Sequence, residues 1–291
     1  MAHRLAVVTV VATFLLILLG GLVTNTGAAL AVPDWPTTFG HNMFLYPWSH
    51  MVGGIFYEHT HRLLGALVGL LTLALASSLW GMGGFLRGLG LLAVAAVCVQ
   101  GLLGGLRVVL LKETLAIVHG CLAQAFFALV ATLAFLTSRW AGLSGRGIDP
   151  ALRTLAIGAA GLVYVQIVLG ALLTHAGWIE LHLAGAVAVF ALLPVVAARL
   201  RRSGDPVAAP LSRLLLVLLG MQLLLGVGSY LSRFSSIWIP GAQVTVLVLP
   251  VTHRLVGALI LAVAVVLAVR MACVTGAVRS APRRLAAGFL G

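Results

Sequence analysis

The chemistry of this chain concentrates on four histidines. His61, His119, His182 and His253 each open an apolar run, and each follows a run that ends in glycine. Three of the preceding runs share one pattern: Gln100-Gly101-Leu102-Leu103-Gly104, Gln166-Ile167-Val168-Leu169-Gly170 and Gln222-Leu223-Leu224-Leu225-Gly226. The first holds only Leu18-Leu19-Gly20-Gly21. Imidazole is costly in hydrocarbon, and ionisable groups inside a membrane mark sites, so a histidine recurring at one depth points to a shared ligand. Two histidines facing each other across a four-helix bundle are how such a core grips haem iron. Zinc fits less well, because no cysteine or further histidine clusters with either pair to complete four ligands. All four histidines are expected at the N-terminal ends of their helices, where free N–H groups and the helix dipole favour anions. Arg62 and Arg254 follow two of them directly and suit haem propionates, or else snorkel to the interface; Arg107 is a third candidate.

One carboxylate breaks the repeat. Glu58 lies three residues before His61 and so shares its helix face, whereas Ile179 and Pro250 stand before His182 and His253. Glu58 reads either as a helix-start residue or as a group acting at one site only. His59 is two positions from His61 and faces away. His41, His50 and His175 fall in loops and His3 at the N-terminus, and all four read as solvated.

These residues must be positioned by membrane spans. Of the 291 residues, 62% are hydrophobic and 8% charged, with Lys+Arg 18 against Asp+Glu 6, and mean hydropathy is +1.15. A soluble domain carries about a quarter charged residues, so the chain is an integral membrane protein. The same arithmetic excludes a disordered chain, and three cysteines exclude a disulfide scaffold. Eight segments reach spanning length, at about 4–24, 57–80, 87–107, 115–138, 152–173, 181–199, 211–231 and 252–270. Thirteen of the 18 basic residues (Arg4, Arg87, Arg139, Arg146, Arg153, Arg199, Arg201, Arg202, Arg213, Arg270, Arg279, Arg283 and Arg284) flank one side. That side is cytoplasmic by the positive-inside rule, giving an N-in/C-in chain. The net charge of +12 therefore reports topology rather than nucleic-acid binding. Trp35, Trp48, Trp178 and Trp238 on the outer side, with Trp80 and Trp140 on the inner, read as an aromatic belt. The run from Leu5 to Val23 exceeds a usual secretory signal core and reads as the first span. Cys98, Cys121 and Cys273 read as small buried hydrophobes.

Thr60-His61-Arg62-Leu63-Leu64-Gly65-Ala66-Leu67 and Thr252-His253-Arg254-Leu255-Val256-Gly257-Ala258-Leu259 agree at seven of eight positions. Internal duplication follows. The expected fold is all-α, with eight transmembrane helices as two pseudo-symmetric four-helix bundles, residues 1–145 and 146–291, each contributing two histidines.

With Glu58-x-x-His61-Arg62 and the three later histidines at their spacing, the sequence resembles the haem A synthase family of membrane oxidoreductases. Thr24-Asn25-Thr26-Gly27, Pro33-Asp34-Trp35-Pro36 and Gly40 are similar to that family's first outer loop. The resemblance covers nearly the whole chain. It implies an enzyme that oxidises the C8 methyl of haem O to a formyl group, giving haem A for terminal cytochrome oxidases. It also implies His61 and His119 as ligands at the substrate-haem site, Glu58 as the essential carboxylate, and His182 and His253 as ligands of a haem b. Cooperation with the farnesylating haem O synthase, a role in oxidase assembly, an unidentified electron-transfer partner and a multi-pass place in the inner or plasma membrane follow from the same resemblance, with the haem sites toward the outer face. Many bacterial members carry cysteine pairs in the outer loops, but residues 25–56 and 232–251 have none here, which removes a thiol relay. Two other readings stay open, a di-haem electron-transfer protein of cytochrome b type and a non-enzymatic haem carrier or assembly factor. Histidines confined to one side of the membrane count against the first; a dispensable Glu58 would mark the second.

Overall fold

A backbone in lipid must satisfy its own hydrogen bonds, and this chain does so with helices. The computed structural model describes residues 1–145, 149–237 and 241–280, with side chains through Val274 apart from that of Ala242. Eight helices span α1 (Ala2–Asn25), α2 (Gly54–Leu79), α3 (Gly84–Leu110), α4 (Glu113–Leu136), α5 (Pro150–Ala176), α6 (Ile179–Arg202), α7 (Ala208–Phe234) and α8 (Ala242–Ser280). Each is long and apolar enough to cross a membrane. The shortest, of 24 residues, reaches about 36 Å, against about 30 Å of hydrocarbon. Among the described residues, extended backbone pairs only at the isolated bridge between Thr38 and His41.

The helices overrun the apolar runs seen in the sequence. The expected loop at 108–114 shrinks to Leu111 and Lys112, and that at 174–180 to Gly177 and Trp178. Hydropathy marks what sits in hydrocarbon, whereas helical hydrogen bonding continues until a cap stops it. Leu111 and Gly177 are such caps. Both adopt left-handed φ, 53° and 77°, and return their N–H groups to the Arg107 and Leu173 carbonyls. The largest difference is in α8, which starts at Ala242 rather than at 252 and runs through Pro250.

This changes the setting of the histidines. His61, His119 and His253 are the eighth, seventh and twelfth residues of their helices, so the free N–H groups at the helix starts do not face them. His182, the fourth residue of α6, alone keeps a place in a first turn. His175 belongs to the last turn of α5 and not to a loop, and its Nδ1 lies 2.9 Å from Glu113 Oε2. Nor is His3 merely solvated: its Nδ1 is 3.1 Å from the Ala134 carbonyl. Trp80 and Trp140 stack under the Arg87 and Arg139 guanidinium groups at that same end. Of the other belt and charge positions, Arg146, Trp238, Arg283 and Arg284 lie outside the described residues, as does the side chain of Arg279.

Every helix packs on its neighbours in sequence within residues 1–145 and again within 149–280. α1 also closes on α4, and α5 on α8. The two sets meet where α4 touches α8 and α5 and where α1 touches α8. One apolar core holds Ile17, Val68, Leu75, Phe127 and Leu133; the other holds Leu193, Leu200, Leu215, Leu261 and Leu267. α8 feeds both, sending Ala258 and Ala262 into the first, and it is the most buried helix. Small side chains suit that place, since helices in lipid associate by close packing rather than by leaving water.

A buried ion pair ties the connectors at the far end to α8. Arg270 donates to Asp205 through Nη2 at 2.7 Å and through Nε at 3.1 and 3.2 Å, and its Nη1 reaches the Ala141 carbonyl at 3.4 Å. Asp205 also accepts the Val207 and Ala208 N–H groups at the start of α7. Burial works against the Asp205 charge, yet Arg270 and the two N–H groups hold its carboxyl below the usual carboxylate range. A depressed carboxylate stabilises the fold above its unfolded value, so this contribution holds at neutral pH and fades only as pH falls below about 4. Asp205→Ala leaves Arg270 buried and unpaired, and is expected to cost about 3–5 kcal/mol. Thermal unfolding in detergent checks this, and Asp205→Ala with Arg270→Met should recover most of the loss.

Candidate functional site

Each of the four histidines packs its ring on the glycine that ends the preceding helix run. A Cβ at Gly20 would come within 3.1 Å of His61 Cε1; at Gly104 and Gly170 it would lie 3.3 Å from His119 and His182, and at Gly226 3.1 Å from His253. The missing side chain lets the imidazole lie against the neighbouring helix in every hairpin. All four sites fall at the end of the helices that carries the loop of residues 26–53.

His182 and His253 face each other with ring centroids 6.3 Å apart and planes 70° apart. A metal ion bonded at about 2.0 Å to each ring nitrogen requires a centroid spacing of about 6 Å, so this pair has room for one ion. His61 and His119 lie within electrostatic range of each other. The Nδ1 atoms of His61, His119 and His253 are buried without a hydrogen-bond partner and lie on the glycine side of their rings, 3.6–3.7 Å from the Cβ positions of Gly20, Gly104 and Gly226. Among the described residues no group of three or more His, Cys, Asp or Glu side chains could hold a metal ion by itself. Two imidazoles with no third ligand fit a metal whose other ligands arrive with a macrocycle, and the residues present therefore suit haem.

Glu58 and Arg62 sit beside the first pair and organise the loop above it. Glu58 is buried, its Oε1 accepting from Arg62 Nη2 at 2.7 Å and its Oε2 from the Val32 N–H at 3.0 Å. The other Arg62 terminal N–H groups donate to the carbonyls of Val32, Asp34 and Thr37 at 2.7–3.0 Å. Asp34 turns the loop by accepting from the Thr37 hydroxyl and from the Phe39 and Gly40 N–H groups. Partial burial opposes its charge, but the bonds from Gly40, Thr37 and Phe39 prevail and hold the carboxyl below its usual value. His59 faces away from His61 as its spacing requires, but it is buried, with Nδ1 3.1 Å from the Thr38 hydroxyl and its ring 5.2 Å from that of Tyr46. The loop then lays Trp35 flat on Gly105, against which any Cβ would collide. Gly104, beside it, receives His119. Trp35 therefore borders the first histidine pair, and the signal for it was Gly104-Gly105, two adjacent glycines needing two different close approaches.

The three arginines part company here. All four terminal N–H groups of Arg62 are committed to Glu58 and the loop, so Arg62 serves as an anchor, and a propionate role there would fall to its Nε–H. The side chains of Arg107 and Arg254 have no hydrogen-bond partner among the described residues. Arg107 is in electrostatic range of His61 and His119, and Arg254 of His253. The cysteines are free; Cys121 is buried as expected, but Cys98 and Cys273 are exposed.

Residues 3–179 match the cytochrome oxidase assembly protein family. The chain belongs to that family. It is also similar to a heme A synthase of Shouchella clausii (strain KSM-K16), with 31% identity over 180 residues, which is 59% of this chain and 58% of the relative. The chain thus spans under two thirds of that relative's length. The family match takes in Glu58, His61 and His119 and ends before His182, so the second pair is tied to the first by the internal repeat.

Arg62→Met is expected to release residues 26–53, and Arg62→Lys should not restore them, because an ammonium cannot reproduce the planar donor fork. Faster protease cleavage and amide exchange in this loop would register the release. In the wild type the loop should stay protected from pH 8 to about 5 and loosen only below about 4, as Asp34 takes up a proton.

Proposed function

We propose that this chain is a haem A synthase, oxidising the C8 methyl of haem O to a formyl group for a terminal cytochrome oxidase. The observation that carries this reading is the histidine-on-glycine contact repeated four times at one end of the helices, with a carboxylate at only one of the two pairs. Family membership supports it.

Residues 1–145 and 146–291 form two pseudo-symmetric four-helix bundles in this reading. In its support, exchanging the first four helices for the last four turns the α1–α8 contact into α5–α4 and leaves α4–α8 in place. The first bundle binds the substrate haem between His61 and His119. The second holds a haem b between His182 and His253. That haem, when bound, supplies one-electron redox chemistry. Arg107 and Arg254, whose guanidinium groups have no hydrogen-bond partner among the described residues, receive the propionates of the first and second haem respectively.

Glu58 acts at the methyl carbon. Oxidation there replaces C–H bonds by C–O bonds, drawing electrons away and releasing protons. A carboxylate already fixed by Arg62 and Val32 stabilises the developing positive charge without reorganising, or receives a released proton. Loop 26–53, with Trp35 against α3, shields the first pair from water.

The basic residues set an N-in/C-in orientation in the inner or plasma membrane, with both sites toward the outer face. Haem O arrives from the farnesylating haem O synthase, haem A leaves for oxidase assembly, and a further protein exchanges electrons with the second haem.

Acid-acetone extraction and mass analysis of the protein purified from a host that makes haem O but not haem A tests the reading. Haem A, or its hydroxymethyl precursor, beside haem b is expected from the wild type, and haem O with haem b from Glu58→Gln. Recovery of haem b alone, at two equivalents, would favour the di-haem electron-transfer protein, and haem A from Glu58→Gln would remove Glu58 from the reaction.

A further inference from the structure

Three of the four histidines have a glutamine beside them, and one does not. Gln100, Gln166 and Gln222 each lie four residues before the glycine that receives a ring, one helical turn away. Gln100 Nε2 donates to the His119 carbonyl at 3.1 Å. Gln166 Nε2 donates to the His182 carbonyl at 2.9 Å and lies 3.2 Å from that ring's Nδ1. Gln222 Nε2 lies 3.1 Å from His253 Nε2. At the matching place in α1, four residues before Gly20, stands Leu16. α1 offers His61 no polar side chain, only the Leu16 carbonyl, a backbone contact that Gln100, Gln166 and Gln222 give the other three rings as well.

The space for the missing amide is present. Gly257, one turn after His253, has Gln222 Nε2 3.4 Å from where its Cβ would be. Gly65 holds the same place after His61, and nothing lies within 4 Å of its Cβ position. The amide oxygens of all three glutamines are buried without a donor, and so are the Nδ1 atoms of His119 and His253. An imidazole bound to a metal through one nitrogen carries a proton on the other, and the group that accepts it fixes the ring and raises its basicity. A half-turn of the amide exchanges its oxygen and nitrogen, so Gln166 and Gln222, whose amides touch the rings of His182 and His253, can present the acceptor those rings need, whereas Gln100 reaches only the His119 carbonyl.

We infer that Gln166 and Gln222 are positioning residues for His182 and His253, and that His61 and His119, with no side-chain amide on their rings among the described residues, are the less firmly held ligands, making the first haem site exchangeable and the second permanent. The inference rests on the haem reading above and deepens it. A substrate that must enter and leave needs one weak axial bond, whereas a resident cofactor needs two firm ones. Neither His61 nor His119 has an amide on its ring in the first bundle; His182 and His253 are both braced.

The test uses the full chain in detergent, carrying haem O and haem b, mixed with excess apomyoglobin as haem acceptor. Extraction at intervals separates the loss of each haem by type, and redox titration gives the potential of the haem b. Removing such a partner changes metal affinity roughly 10–100-fold. Leu16→Gln is therefore expected to slow haem O loss about tenfold while leaving haem b loss unchanged. Gln222→Leu should speed haem b loss about tenfold and raise its potential, and Gln222→Glu, which keeps an acceptor, should restore both. Gln166→Leu provides the same reading from the opposite ligand should Gln222→Leu fail to fold. Wild-type exchange rates in Leu16→Gln and in the folded glutamine variant overturn the inference while leaving the haem reading standing. A wild-type chain that takes up neither haem overturns both.

Discussion

A ring lying on a glycine backbone is the contact around which the rest is arranged. In each hairpin the first helix gives up one side chain so that an imidazole from the second can occupy its surface. A methyl at any of the four places would press within 3.1–3.3 Å of ring carbon, and in a bundle packed as tightly as a protein interior the ring would have to shift by a few tenths of an ångström. Helix spacing, ring placement and the depth of the site are thereby fixed together. The orphaned ring nitrogens are the consequence, because a glycine surface has no side chain with which to satisfy them.

The two histidine pairs share this scaffold and differ in what surrounds it. Over the first, Glu58 and Arg62 fasten a loop that Asp34 has already turned on itself, so Trp35 is delivered to α3 by a chain of hydrogen bonds rather than by apolar collapse. Over the second, Arg254 stands in the place of Arg62 with no carboxylate beside it, since Pro250 occupies the position of Glu58 one turn before. The missing carboxylate and the missing loop carbonyls together leave the Arg254 guanidinium without a hydrogen-bond partner among the described residues, where Arg62 has four bonds. The same logic governs Leu16 against Gln166 and Gln222.

Away from the histidines, polarity is used sparingly. Arg270 and Asp205 are both almost fully buried, and each satisfies the other where two connectors, α4–α5 and α6–α7, converge on α8. α8 lies in both apolar cores, so this pair holds the helix that the two sets of four share. Charge buried in this way is costly to remove from one side only, which makes it a constraint on assembly more than a source of net stability.

Much of this was legible in the sequence. The eight helices follow from apolar runs of spanning length, since lipid leaves the backbone no other solution, and the four histidines with their glycines follow from a repeat that survives at the positions where packing tolerates no side chain. The shared face of Glu58 and His61 follows from helical period alone. Helix ends did not follow, because hydropathy reports immersion while caps such as Leu111 and Gly177 decide where hydrogen bonding stops; His61, His119 and His253 consequently moved inward from the helix starts. Nor could the sequence rank Arg62, Arg107 and Arg254. Three cations at similar depth look alike until the fold brings Val32, Asp34 and Thr37, some 25–30 residues away, onto one of them. Period and composition are local and survive in one dimension, whereas the partner that uses up a donor is chosen by the folded loop, and only tertiary structure could decide it.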